Sequence, residues 1–367
     1  MKVLVVVGTR PEAIKMAPVV LRLRAQAGFE TVVCATAQHR DLLDSALALF
    51  GIVPDVDLDL MRPNQTPSTV AAGVLSAFDT VLADSGPDVV LVQGDTTTVM
   101  AASLACFHRG VRVGHVEAGL RTANLRNPFP EEMNRRVTDL VSSLHFAPTP
   151  RSAGALRAEG VDAATIYVTG NTVVDALEWL AERSPAVEDD GRDLVLVTSH
   201  RRESFGEPMR RSFRAIARLA LRFPGTRFVF PVHPNPNVIE AARAFDGIAN
   251  VELLAPVDYA RLVSWMRRAK IILTDSGGIQ EEAPTFGKPT LVLRETTERP
   301  EGIEAGVAKL VGTDEETIYR EAERLLADPA ALAAMSQAAN PYGDGHAAER
   351  IVAVLAGRPI APFSGAA

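Results

Sequence analysis

Three carboxylates in the first half of the chain sit where acid–base chemistry could use them. Asp95 falls in Gln93-Gly94-Asp95-Thr96, directly after the apolar run Val89–Gln93. Glu117 closes the next run in His115-Val116-Glu117-Ala118-Gly119, and Glu131 opens a helical pattern after Pro128-Phe129-Pro130. A group of acids can take a proton from one face of a substrate and deliver another to the opposite face. Two of the three also have structural readings. Asp95 is placed to cap a helix over Thr96–Arg109, and Glu131, like Glu132 beside it, is an ordinary first-turn partner of a helix dipole. Glu117 has no evident capping duty.

Cations and small residues form a second set, suited to holding an anion. The first apolar run passes into Gly8-Thr9-Arg10-Pro11-Glu12-Ala13-Ile14-Lys15, where Pro11 suits a helix start. Arg10 and Lys15 either grip an anion beside that helix N-terminus or stand in solvent. His200, in His200-Arg201-Arg202-Glu203, suits orienting a phosphate or donating a proton. His233, in Val232-His233-Pro234-Asn235, reads equally as ligand-facing or as a polar loop residue. The sharpest segment is Asp275-Ser276-Gly277-Gly278-Ile279-Gln280-Glu281-Glu282. Ser276, Gly277 and Gly278 let the backbone approach a diphosphate at a helix start, and Glu282 is placed to accept hydrogen bonds from a ribose diol. Arg299 follows on a further loop, in Thr297-Glu298-Arg299-Pro300-Glu301.

Gathering such groups at one end of a sheet is what a parallel α/β fold does, and short β-branched runs alternate with helical patterns from end to end. The pattern predicts strands at Lys2–Val7, Thr31–Thr36, Val56–Leu60, Val89–Gln93, Val111–Glu117, Leu144–Ala147 and Ile166–Thr169. A helix over Pro67–Asp84 carries Val70, Val74, Phe78 and Val81 on one stripe. After a helix ending near Arg183, the polar stretch from Ser184 to Arg192 holds Pro, Gly and three consecutive acids and reads as a linker. Strands then resume at Leu194–Thr198, Arg227–Val232, Val251–Leu254, Ile271–Thr274, Thr290–Leu293 and Lys309–Val311. The expectation is an α/β protein of two Rossmann-like domains, residues 1–183 and 193–355, facing each other across a cleft, with the final helix able to pack back on the first.

Composition narrows the partners. The 367 residues exceed one ordinary domain and suit two of about 150–200 each. A formal charge of −7 weakens attraction for a phosphate backbone, so no nucleic-acid partner is expected. Cys34 and Cys106 lie in apolar segments without a CxxC partner, which argues against a disulfide framework or a metal site and for a reducing cytoplasm. No apolar run reaches the roughly 18–20 residues of a membrane span. The G-x-G-x-x-G fingerprint is absent from every strand-to-helix turn, so no nicotinamide or flavin cofactor is expected.

Taken in order, the segments Gly8–Glu12, Gln93–Thr96, His115–Gly119, His200–Glu203, Asp275–Gly278 and Thr297–Glu301 resemble the non-hydrolysing UDP-N-acetylglucosamine 2-epimerases, and the similarity runs from Met1 to about Leu355. The resemblance implies the glycosyltransferase-B architecture, a homodimer, no cofactor, and reversible conversion of UDP-N-acetylglucosamine to UDP-N-acetylmannosamine for bacterial surface polysaccharides. It implies nucleotide and diphosphate contacts at Arg10, His200, Ser276, Gly277, Gly278, Glu282 and Arg299. Lys15, Asp95, Glu117 and Glu131 match active-site groups, joined by His200 as a proton donor. Gln38 and His39 match a second, activating site of some members, with His233 a further candidate, whereas Asp41 and Asn64 depart from it. Val257 and Leu262 stand where some members have a glutamine and a phenylalanine near the uracil. The implied route is loss of UDP together with the C2 proton to give 2-acetamidoglucal, then re-addition with a proton arriving on the opposite face of C2. A glycosyltransferase, a hydrolysing epimerase and a non-catalytic nucleotide-sugar sensor are the competing readings.

Overall fold

The computed structural model describes residues 1–36, 40–60, 62, 65–122, 124–184, 187 and 189–365. Its first strand, β1 (Lys2–Val7), has five apolar residues in a row, Val3 to Val7, all fully buried. That is the pattern of a central parallel strand covered on both faces. Thr9 then caps α1 (Arg10–Ala25) by accepting the Glu12 N–H, and Pro11 lies in the first turn, where its missing N–H is not needed.

The first sheet and its helices alternate onward. They are β2 (Glu30–Ala35), α2 (Arg40–Leu49), β3 (Val56–Asp57), α3 (Pro67–Ser85), β4 (Val89–Gln93), α4 (Thr97–His108) and β5 (Arg112–Val116). After these come α5 (Glu131–Val141), β6 (Leu144–Ala147), α6 (Pro150–Ala158), β7 (Ile166–Val168) and α7 (Thr172–Arg183). The third strand is shorter than its apolar run suggests, because Asp59 turns the chain with a positive φ of 44°. All pairings are parallel, in the order β3-β2-β1-β4-β5-β6-β7.

A second parallel sheet begins with β8 (Leu194–Thr198), α8 (Glu207–Arg222), β9 (Arg227–Pro231), α9 (Pro236–Ala242), β10 (Val251–Leu254) and α10 (Tyr259–Arg268). It continues through β11 (Ile271–Thr274), α11 (Gly277–Glu282), β12 (Thr290–Val292), α12 (Pro300–Glu304) and β13 (Ala308–Leu310), in the order β10-β9-β8-β11-β12-β13. Helices α13 (Glu315–Ala327), α14 (Pro329–Ser336) and α15 (Ala347–Leu355) follow. Phe213, Phe230 and Phe245 pack ring to ring in the core of this half, with Phe213 5.3 Å from each of the other two.

The chain forms two compact units, Met1–Ala176 with Gly343–Gly365, and Leu177–Tyr342. The division falls inside α7, ahead of the polar stretch at 184–192. Helix α15 belongs to the first unit, where Asp175 accepts the Ala347 and Ala348 N–H groups at 3.2 and 2.8 Å. A carboxylate there complements the helix dipole. Among the described residues, no helix is long and apolar enough to cross a membrane.

In both sheets the strand order reverses beside the first strand formed, between β1 and β4 and between β8 and β11. Loops leaving such a pair diverge to opposite faces, and ligands of open α/β sheets bind outside the strands' carboxyl ends at that point. Arg10 and Asp95 follow β1 and β4, and His200 and Ser276 follow β8 and β11.

Candidate active site

Glu117 stands directly after β5 with φ +68°, a left-handed conformation that costs a residue bearing a Cβ about 1–2 kcal/mol. Such a residue persists only where its surroundings hold it. Here its N–H and that of Ala118 both donate to the Phe146 carbonyl, at 3.0 and 3.1 Å. Lys15 Nζ reaches from α1 to both carboxylate oxygens, at 2.7 and 2.8 Å, and the Gln93 amide and Asn171 Nδ2 donate as well, the latter at 3.5 Å. Glu117 is thus only 7% exposed, and its burial is compensated by the lysine ammonium. The sequence suggests a Lys15 directed at a ligand anion or at solvent; in the fold its ammonium meets Glu117. Gln93 and Asn171 escape sequence reasoning, because an amide near a strand end carries no signal until its neighbour is known.

Asp95 loses its structural reading. The cap of α4 is the next residue, Thr96, whose Oγ1 accepts the Val99 N–H at 3.2 Å. The Asp95 carboxylate pairs instead with Arg135 of α5, and Asn134 Nδ2 donates to the Asp95 carbonyl at 3.0 Å. Helix α5 also separates its two leading acids. Glu132 is fully buried, accepting from Arg135 at 3.2 Å, Arg136 at 2.9 Å and the Thr122 N–H at 3.0 Å. The Glu131 carboxylate makes no hydrogen bond or ion pair among the described residues. In the loop after β1, Arg10 is half-buried, and Glu12 beside it is 2% exposed with the Gly8 N–H on its carboxyl at 2.6 Å. Burial pushes the Glu12 carboxyl up to about 7, against hydrogen bonds from Gly8, Thr96 and Thr9 that favour the ionised form.

The second unit is built around a different carboxylate. Asp275, fully buried at the end of β11, accepts from Ser199 Oγ at 2.8 Å, the His200 N–H at 2.9 Å and the Arg201 N–H at 3.0 Å. These bonds fasten the loop after β8 to the start of α11. The consequence lies at Gly277, where a Cβ would stand 3.4 Å from Arg201 Nη2 and 3.4 Å from Arg299 Cζ and Nη1. Two guanidiniums therefore overlie the first turn of α11, whose leading N–H groups have no intrahelical partner. Guanidinium forks with a helix start suit a diphosphate. Arg299 is held by Glu281 at 2.8 Å and Glu298 at 2.7 Å, and Glu282 closes the helix, half-buried, with Oε1 3.6 Å from where a Gly278 Cβ would stand. Arg201 goes unselected in the sequence, although its place beside His200 in a strand-end loop was the available signal.

His200 and His233 stack, with ring centroids 5.7 Å apart and planes 21° from parallel. Burial lowers the His200 pKa; Asp275 opposes this, while Arg201 and His233 add to it. His233 is exposed, and its Nδ1 accepts the Asn235 N–H at 3.2 Å. Gln38, His39 and Asn64 lie outside the described residues. Among the described residues, no group of three or more His, Cys, Asp or Glu is placed to hold a metal ion.

A family model described as UDP-N-acetylglucosamine 2-epimerase matches residues 21–356. The chain belongs to the UDP-N-acetylglucosamine 2-epimerase family. The 2-epimerase of Bacillus subtilis strain 168 is 50% identical over 360 residues, 97% of this chain and 95% of its own length. That of Escherichia coli K12 is 50% identical over 370 residues, 97% and 98% of the two chains. A Neisseria meningitidis UDP-GlcNAc 2-epimerase structure bound to UDP-GlcNAc aligns with a TM-score of 0.87 at 46% identity, covering 98% of this chain and 100% of that one. The Methanocaldococcus jannaschii enzyme in complex with UDP-GlcNAc and UDP aligns at 0.79 and 32%, covering 97% and 99%. The pair of parallel Rossmann-like sheets is thus the glycosyltransferase-B type of fold shared by the 2-epimerases.

Proposed function

We propose that the protein interconverts UDP-N-acetylglucosamine and UDP-N-acetylmannosamine without hydrolysis. A base takes the C2 proton, the C–H electrons form the C1–C2 double bond of 2-acetamidoglucal, and the C1–O bond breaks to release UDP. In the return step a proton reaches C2 from the other face and a diphosphate oxygen attacks C1. One observation carries this reading: the acids at a single sheet end lie in unlike surroundings. Glu117 is buried against Lys15, Asp95 is paired with Arg135, and Glu131 has no protein partner among the described residues. Carboxyl groups held by different partners can take different parts in removing a proton from one face and delivering one to the other. In this reading Arg10, Arg201, Arg299 and the Ser276–Gly278 turn stabilise the departing diphosphate. Lys15 tunes Glu117, Glu282 receives the ribose, and His200 acts by hydrogen bonding or proton transfer. The ligands of the Neisseria and Methanocaldococcus relatives support a UDP-sugar substrate.

The test is incubation with UDP-N-acetylglucosamine alone in D₂O. The expected product is UDP-N-acetylmannosamine carrying deuterium at C2, with no accumulation of UDP. Free N-acetylmannosamine with stoichiometric UDP would assign a hydrolysing enzyme, and protium retained at C2 of the epimer would remove the elimination route. We also infer a homodimer. Met133 and Leu140, seven residues apart on α5, are exposed, Leu140 by 83%, and Phe129 just ahead of the helix is 68% exposed. A second copy would cover this apolar face, and a monomeric mass by light scattering at micromolar concentration would oppose it.

A further inference from the structure

Resting on the active-site reading of Asp95 and Glu117, we propose that His115 and Asp139 form a buried imidazolium–carboxylate clamp that positions these two acids. His115, on β5, is fully buried. Its Nε2 lies 2.8 Å from the carbonyl of Gly94, the residue before Asp95, and its Nδ1 lies 2.5 Å from Asp139 Oδ1. The other Asp139 oxygen accepts the Gly119 N–H at 3.3 Å, two residues beyond Glu117, and Arg121 Nη2 at 2.7 Å. One side-chain pair therefore ties the loop after β4 to the loop after β5.

The protonation state follows from the partners. His115 and Arg121 hold the Asp139 carboxyl below the usual carboxylate range although burial opposes them, so it is ionised at neutral pH. A carboxylate and a backbone carbonyl can only accept, so both ring nitrogens of His115 donate. A neutral tautomer would set a lone pair against an oxygen at 2.5 or 2.8 Å. The remaining charged and titratable neighbours complete the setting. His145 on β6 donates from Nε2 to the Asp139 carbonyl at 2.9 Å, Glu159 after α6 neutralises Arg121 at 2.7 Å, and Asp95 follows the clamped Gly94.

The loops need such a tie. Gly94, Glu117 and Gly119 all have positive φ, at 80°, 68° and 85°, and a Cβ on Gly119 would stand 2.3 Å from the Ser152 carbonyl oxygen. Glycine takes that conformation without strain, but Glu117 bears a Cβ there and persists only where tertiary contacts hold its loop.

Two measurements on the full chain test the clamp. In ¹⁵N-histidine-labelled protein at pH 7, one of the seven histidines should show both ring nitrogens protonated, with a slowly exchanging downfield proton that is lost in His115→Gln. In the epimerase assay, His115→Gln and Asp139→Asn should each lower kcat on the order of 10²-fold, the scale of a misplaced reacting group, while KM changes by less than about three-fold. A wild-type spectrum at pH 7 in which no histidine has both ring nitrogens protonated, or a folded variant that retains kcat within two-fold, overturns the proposal. The wild-type spectrum decides the clamp even if both variants fail to fold. Wild-type protein inactive on UDP-N-acetylglucosamine would instead overturn the active-site reading and with it the catalytic role of the clamp, leaving the spectrum to settle the ion pair alone.

Discussion

The first sheet and the second reverse their strand order in the same way, yet the loops at the two switch points carry opposite chemistry. After β4 and β5 the loops carry acids, and the fold supplies their cations from a distance: Lys15 to Glu117 and Arg135 to Asp95. After β8 and β11 the acid, Asp275, is hidden and takes neutral donors, a serine hydroxyl and two backbone N–H groups. The cations Arg201 and Arg299 lie over Gly277, with Arg299 held by Glu281 and Glu298. Each half also buries a carboxyl under its first loop: Glu12 is met by Gly8, Thr96 and Thr9, and Asp275 by donors from three successive residues. A shared sheet topology provides the place, and the loops of the two sheets put different charges there.

Removing one acid should break the comparison most visibly. Glu117→Gln is expected to lower turnover by about 10²-fold or more and, by stranding the Lys15 ammonium, only 14% exposed, to reduce stability by about 3 kcal/mol in urea unfolding. UDP affinity by calorimetry should stay within two-fold, and a collapse of UDP binding would show that the halves do not divide the work. Adding Lys15→Met should return part of the stability and none of the turnover.

The hidden carboxyls give the next effect. Glu12 has a folded pKa of about 7 against an ordinary 4.5, so the folded state keeps a proton that the unfolded chain releases between those values. Its contribution is fully present below about pH 4.5 and is lost as pH rises through about 7, a swing of about 3 kcal/mol. Glu12→Gln, which keeps an acceptor for Gly8 and cannot ionise, should lack that slope. Parallel stability–pH curves for variant and wild type would contradict it.

Arg201→Ala sharpens the phosphate side. Losing a hydrogen bond to a charged group, at about 1.5–3 kcal/mol, should weaken UDP binding by roughly ten-fold or more with little change in Tm. An unchanged Kd would leave Arg299 as the sole guanidinium over Gly277. The smallest effect belongs to Gly277→Ala. Its methyl would meet both guanidiniums at an ordinary 3.4 Å, so the fold should tolerate it, while the space taken from a diphosphate should reduce UDP affinity roughly five-fold, about 1 kcal/mol.

The strand ends were legible because buried parallel strands are continuous apolar runs: Val89–Gln93, Leu144–Ala147, Leu194–Thr198 and Ile271–Thr274 were read to the residue. Knowing the ends places Asp95, Glu117, His200 and Asp275 at the carboxyl edge, and helix-start chemistry marks Ser276–Gly278. Local patterning did not reveal the partners. Lys15 and Glu117 are 102 residues apart, Ser199 and Asp275 are 76 apart, and His115 and Asp139 are 24 apart. Each of these pairings depends on which strands become neighbours, and hydrophobic periodicity is the same whether β1 lies beside β4 or elsewhere. The sequence by itself determined the class of fold, the family and the loops where chemistry resides. Tertiary structure alone decided that Glu117 is buried against Lys15, that Thr96 and not Asp95 caps α4, that Glu132 is buried against Arg135 and Arg136 while the Glu131 carboxylate has no such partner among the described residues, and that burial lowers the His200 pKa. Those outcomes rest on burial and on charge pairs closed across strand order, which exist only once the sheet has assembled.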